Sequence, residues 1–191
     1  MRHLLVIITL ALAVPAAAEV VRYEIGEGSK IVFESKAPLD SFEGRTNAVR
    51  GWFEADLEAL GDSITVVVTV DLASFDTGIG KRNQHMRDNH LETDRFPEAR
   101  FVGGAVEAVR IVEGASVVNL RGELDLHGVV LPVVYEVALR TSGDGSVMVT
   151  AGFVVKLSDH DIERPRFLVM KLADEQKVTV ELTARPVSVG E

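Results

Sequence analysis

Val118-Asn119-Leu120-Arg121-Gly122-Glu123-Leu124-Asp125-Leu126-His127 places Val118, Leu120, Leu124 and Leu126 on one face, and Asn119, Arg121, Glu123, Asp125 and His127 on the other. Side chains that switch sides at every step describe a strand with one dry and one wet face. Ser63–Leu72 reads alike, with Ile64, Val66, Val68, Val70 and Leu72 opposed to Thr65, Thr69 and Asp71, although Val67 breaks the polar side. Val133–Arg140, Val147–Leu157 and Lys177–Arg185 repeat the pattern. Upstream candidates are Val20–Ile25, Ile31–Lys36, Val49–Asp56 and Arg100–Val112. These make eight or nine strands, separated by short turns such as Gly26-Glu27-Gly28, Glu113-Gly114 and Thr141–Gly145. Strands with short turns and few helices give an antiparallel all-β fold, either barrel or sandwich. Their length suits the tilted staves of a closed or nearly closed barrel of eight strands better than a sandwich.

Two stretches depart from this rhythm. Gly78–Leu91 carries good helix formers, with Ile79, Met86 and Leu91 as packing positions, and predicts a short helix near residues 79–91 at one barrel mouth. Leu57–Leu60 reads as a second helical turn. Met148 and Val154 add apolar groups to the wet face of their strand, which calls for a filled or ligand-occupied interior plus a helix or partner outside.

The N-terminus reads as a leader. Arg2 precedes an apolar run from Leu4 to Val14 and then Pro15-Ala16-Ala17-Ala18, the pattern of a secretory signal peptide cut after Ala18. The run falls short of the ~20 apolar residues that cross a bilayer, so no integral membrane span is expected. Residues 19–191 are then one exported domain, periplasmic or secreted, long enough to bury roughly 70% of its unfolded surface. The net charge is −9, and loss of Arg2 with the leader lowers it by one. With no basic block, this balance argues against nucleic acid, whose phosphates demand cations. The absence of cysteine excludes disulfides, thiol nucleophiles and thiolate metal sites. A homodimer is left open.

Little in the chain points to catalysis. His85 and His90 lie five apart, about 140° around a helix, and Asp159-His160-Asp161 is a lone loop triplet, so no metal and no cofactor is expected. His127, ahead of Gly128, reads as a strand end. Asp76-Thr77-Gly78 has the form of an aspartic-protease signature but lacks the second carboxylate such enzymes need. A tight turn with Gly78 at positive φ and Thr77 capping the helix accounts for it. No nucleophile elbow or phosphate-cradling loop is present.

The segment Asp71–Phe101 contains Ser74, Thr77-Gly78, then Arg87-Asp88-Asn89-His90-Leu91, then Phe96-Pro97 and Phe101. It resembles the YceI-like family of exported bacterial proteins, with an S-x-x-T-G turn, a helical R-D-x-H-L element and an F-P entry into the next strand. Leu124-Asp125-Leu126-His127-Gly128-Val129 with Pro132-Val133 is similar to that family's L-x-L-H-G-V-x-x-P-V segment, and Ser29–Phe33 and Gly44 with Gly51-Trp52-Phe53 to its opening strands. Arg95-Phe96 stands where the family has a double Phe. The likeness spans Val20–Leu182 and implies a lipocalin-like barrel holding a long-chain lipid, polyisoprenoids being the family's ligand class.

Alternation then nominates the wall of such a hollow: Leu120, Leu124, Tyr135, Val137, Val149, Phe153 and Val155, with Met86 from the helix. A register slip of one residue would turn them outward. Arg87 and His90 are candidates for a ligand head group. The competing reading has Arg87 and Asp88 pin the helix while Leu91 plugs the core. Two other classes stay open: an envelope stress or interaction module with a solid barrel, and an enzyme on a hydrophobic substrate using His90 or Asp88.

Overall fold

Alternating sequence becomes paired strand nearly throughout. The computed structural model of the protein describes residues 19–36, 41–61, 64–167 and 170–187. The leader read at residues 1–18 lies outside the described residues. The strands are β1 (Val21–Ile25), β2 (Lys30–Lys36), β3 (Ser41–Thr46), β4 (Val49–Ala55), β5 (Ile64–Asp71), β6 (Glu98–Val112), β7 (Ala115–Leu126), β8 (Val129–Thr141) and β9 (Val147–Lys156). A small hairpin of β10 (Arg166–Phe167) and β11 (Met170–Lys171) precedes the last long strand, β12 (Glu175–Pro186). Among the described residues one α-helix, α1 (Gly80–Asn89), follows β5, and short 3-10 turns occupy Leu72–Ser74 and Leu157–His160.

All pairings are antiparallel, and the sheet closes because β1 bonds to both β4 and β12. The result is an eight-stave barrel. Two staves are broken: β1 and β2 meet successive halves of β12, while β4 and β3 lie beside β1 and β2 in turn. Hairpin register is set by tight turns. Glu113-Gly114 and His127-Gly128 have φ of 47° and 78°, and of 56° and 77°, the double positive φ that matches strand twist. The wet face carries cross-strand ion pairs such as Lys177–Glu34 at 3.2 Å, residues that sit directly opposite in the ladder.

The strand expectations hold, with three corrections. β3 is a strand the alternation did not reveal. Leu57–Leu60 is a turn, not a helical piece, with Leu60 tucked into the core. Met148 and Val154 stay about half exposed on the outer wall, where no described element covers them. The helix sits over a mouth instead.

The interior divides along the barrel axis. At one end Tyr23, Phe53, Val118, Leu139, Val147, Leu182 and Ala184 pack into a solid core. Toward the other end the inward positions of the same staves line a hollow. Between the halves lies a bridge of rings: Phe101 meets Tyr135 at 5.7 Å, and Tyr135 stacks on Phe153 at 3.9 Å between centroids. The Phe101 ring lies against two paired glycines, Gly103 and Gly122. A Cβ on Gly122 would stand 2.4 Å from the Val102 carbonyl oxygen and 2.6 Å from that ring.

Adding that carbon should therefore cost stability. Gly122→Ala is expected to lower unfolding free energy by about 1–3 kcal/mol, the usual penalty for overpacking a filled interior. Urea titration of wild type and variant checks it, and equal midpoints would show that the ring has room to move.

Candidate functional site

The hollow end of the barrel contains a cavity of about 290 Å³, and α1 lies across its mouth. Every stave except β8 supplies its wall by alternation: Ile31 and Phe33 from β2, Phe42 from β3, Val70 from β5, Ala99 from β6, Leu124 and Leu126 from β7, Phe153 and Val155 from β9, Val178 and Val180 from β12. Met86 and Leu91 come down from the helical segment, while Phe75, Ile162 and Leu172 close the rim from loops. The few polar residues at the wall are Ser35, Arg82, His85, His90 and Gln176. A largely apolar hollow with a handful of placed polar groups is the usual make-up of a small-molecule site.

Helix α1 has no fully buried residue, so burial does not hold it in place. A polar clasp does. Asn83 Oδ1 accepts from the Thr77 backbone N–H at 2.8 Å and the Thr77 hydroxyl at 2.6 Å, while its Nδ2 donates to Asp76 Oδ1 at 2.6 Å. Arg82 donates to the Thr77 hydroxyl and carbonyl at 2.9 and 2.6 Å, and its guanidinium lies 4.1 Å over the Phe42 ring. The donors from Asn83 and Gly78 hold the exposed Asp76 carboxyl below the usual carboxylate range. Asp76-Thr77-Gly78 is thus a helix anchor, with Gly78 at φ 80° as expected. The capping runs opposite to expectation: Asn83 reaches back to Thr77, and the N-cap residue, Ile79, makes no side-chain cap.

The nominated wall residues separate by axial position. Met86, Leu124, Phe153 and Val155 line the cavity. Leu120, Val137 and Val149 face inward on the same strands but belong to the packed half. Tyr135 lies between, in the ring bridge that floors the hollow. Burial pushes its phenol up to about 12, and burial first, then the nearby Asp56 carboxylate, also raises Tyr23.

Of the head-group candidates, Arg87 donates to the Ala73 carbonyl at 3.2 Å, which ties the helix to the 3-10 turn after β5. His90 does reach the cavity. The helix ends at Asn89, so His90 leaves the helical path, and its ring meets that of His85 edge-on at 5.1 Å despite the 140° expected from helical spacing. Its Nδ1 donates to the Glu163 carbonyl at 2.8 Å. Burial, and to a lesser degree the neighbouring His85, draws the imidazole below its ordinary value against the pull of that carbonyl.

Sequence reasoning placed His127 at a strand end, and it does begin the β7–β8 turn, but it is buried and engaged. Its Nδ1 donates to the His160 carbonyl at 3.0 Å and its Nε2 stands 3.2 Å from a Glu92 carboxylate oxygen. These contacts brace the rim where the β8–β9 ladder, paired only over 137–141 and 147–151, has stopped.

Against known proteins, the YceI-like domain model matches residues 23–184. The UPF0312 protein VPA0850 of Vibrio parahaemolyticus is 30% identical over 166 residues, covering 81% of this chain and 85% of its own. Two solved structures share the fold at a TM-score of 0.70. A polyisoprenoid binding domain from Saccharophagus degradans is 19% identical, covering 88% of this chain and all of its own, and BcnA of Burkholderia cenocepacia is 21% identical, covering 81% and 95%.

The buried phenols give a direct check. Both tyrosines of the chain are raised and Tyr135 lies at about 12, so absorbance at 295 nm should show at most one of the two phenols ionising near pH 10 while the fold persists. The sign follows: the stability these neutral phenols contribute is complete below pH 10 and is lost as pH climbs toward the folded-state values. A step near pH 10 with the amplitude of both phenols in folded protein would contradict the packing of Tyr135.

Proposed function

The chain belongs to the YceI-like family, and from that membership we propose that it is an exported protein that binds a long-chain apolar lipid, a polyisoprenoid among the candidates, in the hollow half of its barrel and carries or sequesters it. One observation carries the reading: the cavity beneath α1 is walled almost wholly by apolar side chains from the strands and the rim. Water gains nothing there, whereas each CH₂ withdrawn from solvent contributes ~0.8 kcal/mol. The fold shared with a polyisoprenoid binding domain supports the same ligand class. A binding role is favoured over an enzymatic one by the candidate acid–base groups, since Asp88 is exposed and the His90 Nδ1 proton is committed to a backbone carbonyl.

Cavity size adds a constraint. About 290 Å³ lies at the lower end of ligand pockets, ~300–1,000 Å³. A forty-carbon chain would nominally gain roughly 30 kcal/mol, beyond the ~18–21 kcal/mol ceiling of non-covalent affinity. Ordering of so flexible a chain must therefore offset much of its burial.

Affinity for straight-chain probes should accordingly rise by up to about fourfold per added methylene and then level off once the hollow is filled. Displacement of a fluorescent probe by a series of fatty alcohols reads this. Leu124→Asp and Phe153→Asp should each cut retention of co-purified lipid, followed by native mass spectrometry, at least tenfold while the packed half keeps the barrel folded. Lipid retained at wild-type levels in both variants would remove the cavity from the ligand path.

A further inference from the structure

On the strands that wall it, the cavity ends at one level. Its lining stops at Ala99 on β6, Leu124 on β7, Phe153 on β9 and Val180 on β12. The next inward residues on those strands are Phe101, Gly122, Ala151 and Leu182, and none of the four borders the hollow. Gly122 is paired directly with Gly103, so neither brings a side chain to this level. The Phe101 ring takes the room they leave: a Cβ on Gly103 would stand 2.8 Å from it, and one on Gly122 2.6 Å. Tyr135, 5.7 Å from Phe101 and 3.9 Å from Phe153 between centroids, joins that ring to the cavity wall. The polar wall residues lie at the opposite end. Arg82, His85 and His90 belong to the helical segment over the mouth, and Ser35 and Gln176 sit at the mouth-side ends of β2 and β12, where Glu34 pairs with Lys177.

We propose that the ring bridge is a chain-length gauge: the apolar end of the bound lipid enters first and stops on the rings, so that Phe153 and Phe101 set how many carbons the hollow accepts. This rests on the lipid-binding reading of the cavity. Burial rewards a methylene only where there is space to withdraw it from water, so the floor fixes the last carbon that contributes. Orientation follows from polarity. A head group held at the mouth keeps its water, whereas one driven to the apolar floor would lose it unpaired. Phe153 is the ring that meets the chain, since it borders the cavity. Phe101 holds the depth from behind. Its cross-strand partner Leu124 and its inward neighbour Ala99 both line the hollow, so the space under its ring opens onto the cavity once the ring is gone. Side chains at positions 103 and 122 would close that space for good; with glycine at both, depth depends on one aromatic.

The test uses full-length protein loaded with N-phenyl-1-naphthylamine and displaced by straight-chain alcohols from 1-octanol to 1-hexadecanol, which locates the chain length at which affinity stops rising. Phe101→Ala and Phe153→Ala should each move that break to chains longer by about four methylenes, the room left when six ring carbons go and the site collapses only in part. Leu124→Phe fills the hollow just above the floor and should move the break the other way, by about two methylenes. Phe75→Ala empties a similar volume at the rim and should leave the break in place. Circular dichroism establishes which variants are folded, and Leu124→Phe decides the matter if the emptied ones are not. A break unmoved in the folded variants of the floor would overturn the gauge and leave the lipid cavity standing. An equal shift in Phe75→Ala would overturn it too, by assigning chain length to total volume, as would affinity that keeps rising with length in wild type. Failure of every alcohol to displace the probe would defeat the lipid reading itself, and this inference with it.

Discussion

The ring bridge from Phe101 through Tyr135 to Phe153 is the contact on which the architecture turns, because it lets one barrel be solid at one end and hollow at the other. The Phe101 ring can lie against the wall only where the wall has no side chains, at the paired Gly103 and Gly122. Below that level, Val118, Val147, Leu182 and Ala184 interlock and are almost without exposed surface. Above it, the same strands point Leu124, Val155 and Val180 into open space. With no cysteine in the chain, the packed half must supply cohesion by dispersion and burial alone.

The cover over the hollow obeys different physics. A helix that buried an apolar stripe into the barrel would fill the cavity and be costly to move. Helix α1 instead offers Met86, half-buried, and is otherwise secured by the Asp76–Thr77–Asn83–Arg82 clasp. Hydrogen bonds exchanged with water contribute about 1 kcal/mol each net. The clasp therefore positions the helix while leaving its removal far cheaper than unfolding of the packed half.

Alternation made most of the fold legible, because a half-buried strand writes its burial into every second residue. It failed at β3, where Ser41-Phe42-Glu43-Gly44-Arg45-Thr46 keeps one large apolar group. Gly44 stands where a Cβ would come within 2.2 Å of the Phe33 ring, so the neighbour's aromatic fills the position that would have carried the signal. For the site, alternation named the inward face and nothing about depth. Leu124 and Leu120 are indistinguishable on that basis, yet one lines the cavity and the other the core. Rim residues such as Phe75, Ile162 and Leu172 come from irregular segments with no period to read. Ser35, in the register of Ile31 and Phe33, also lines the cavity and was not nominated. His90 was legible as a candidate from the sequence, but its route to the cavity, past the end of the helix at Asn89, follows no period.

The division into halves also settles how stability and binding relate. If the whole interior were hollow, every wall residue would serve both, and a change that spoiled the ligand path would also loosen the fold. Here the apolar contacts that close the barrel concentrate below the ring bridge, and the paired span of the β8–β9 ladder, 137–141 with 147–151, lies at that same end. Above the bridge this seam carries no ladder bonds, and His127 and His160 span the rim there through single contacts to His160 and Val129 carbonyls. A site built where the wall is least cross-linked can adjust to the girth of a chain without straining the core. That is the mechanical condition that the proposed carriage of long flexible molecules would have to meet.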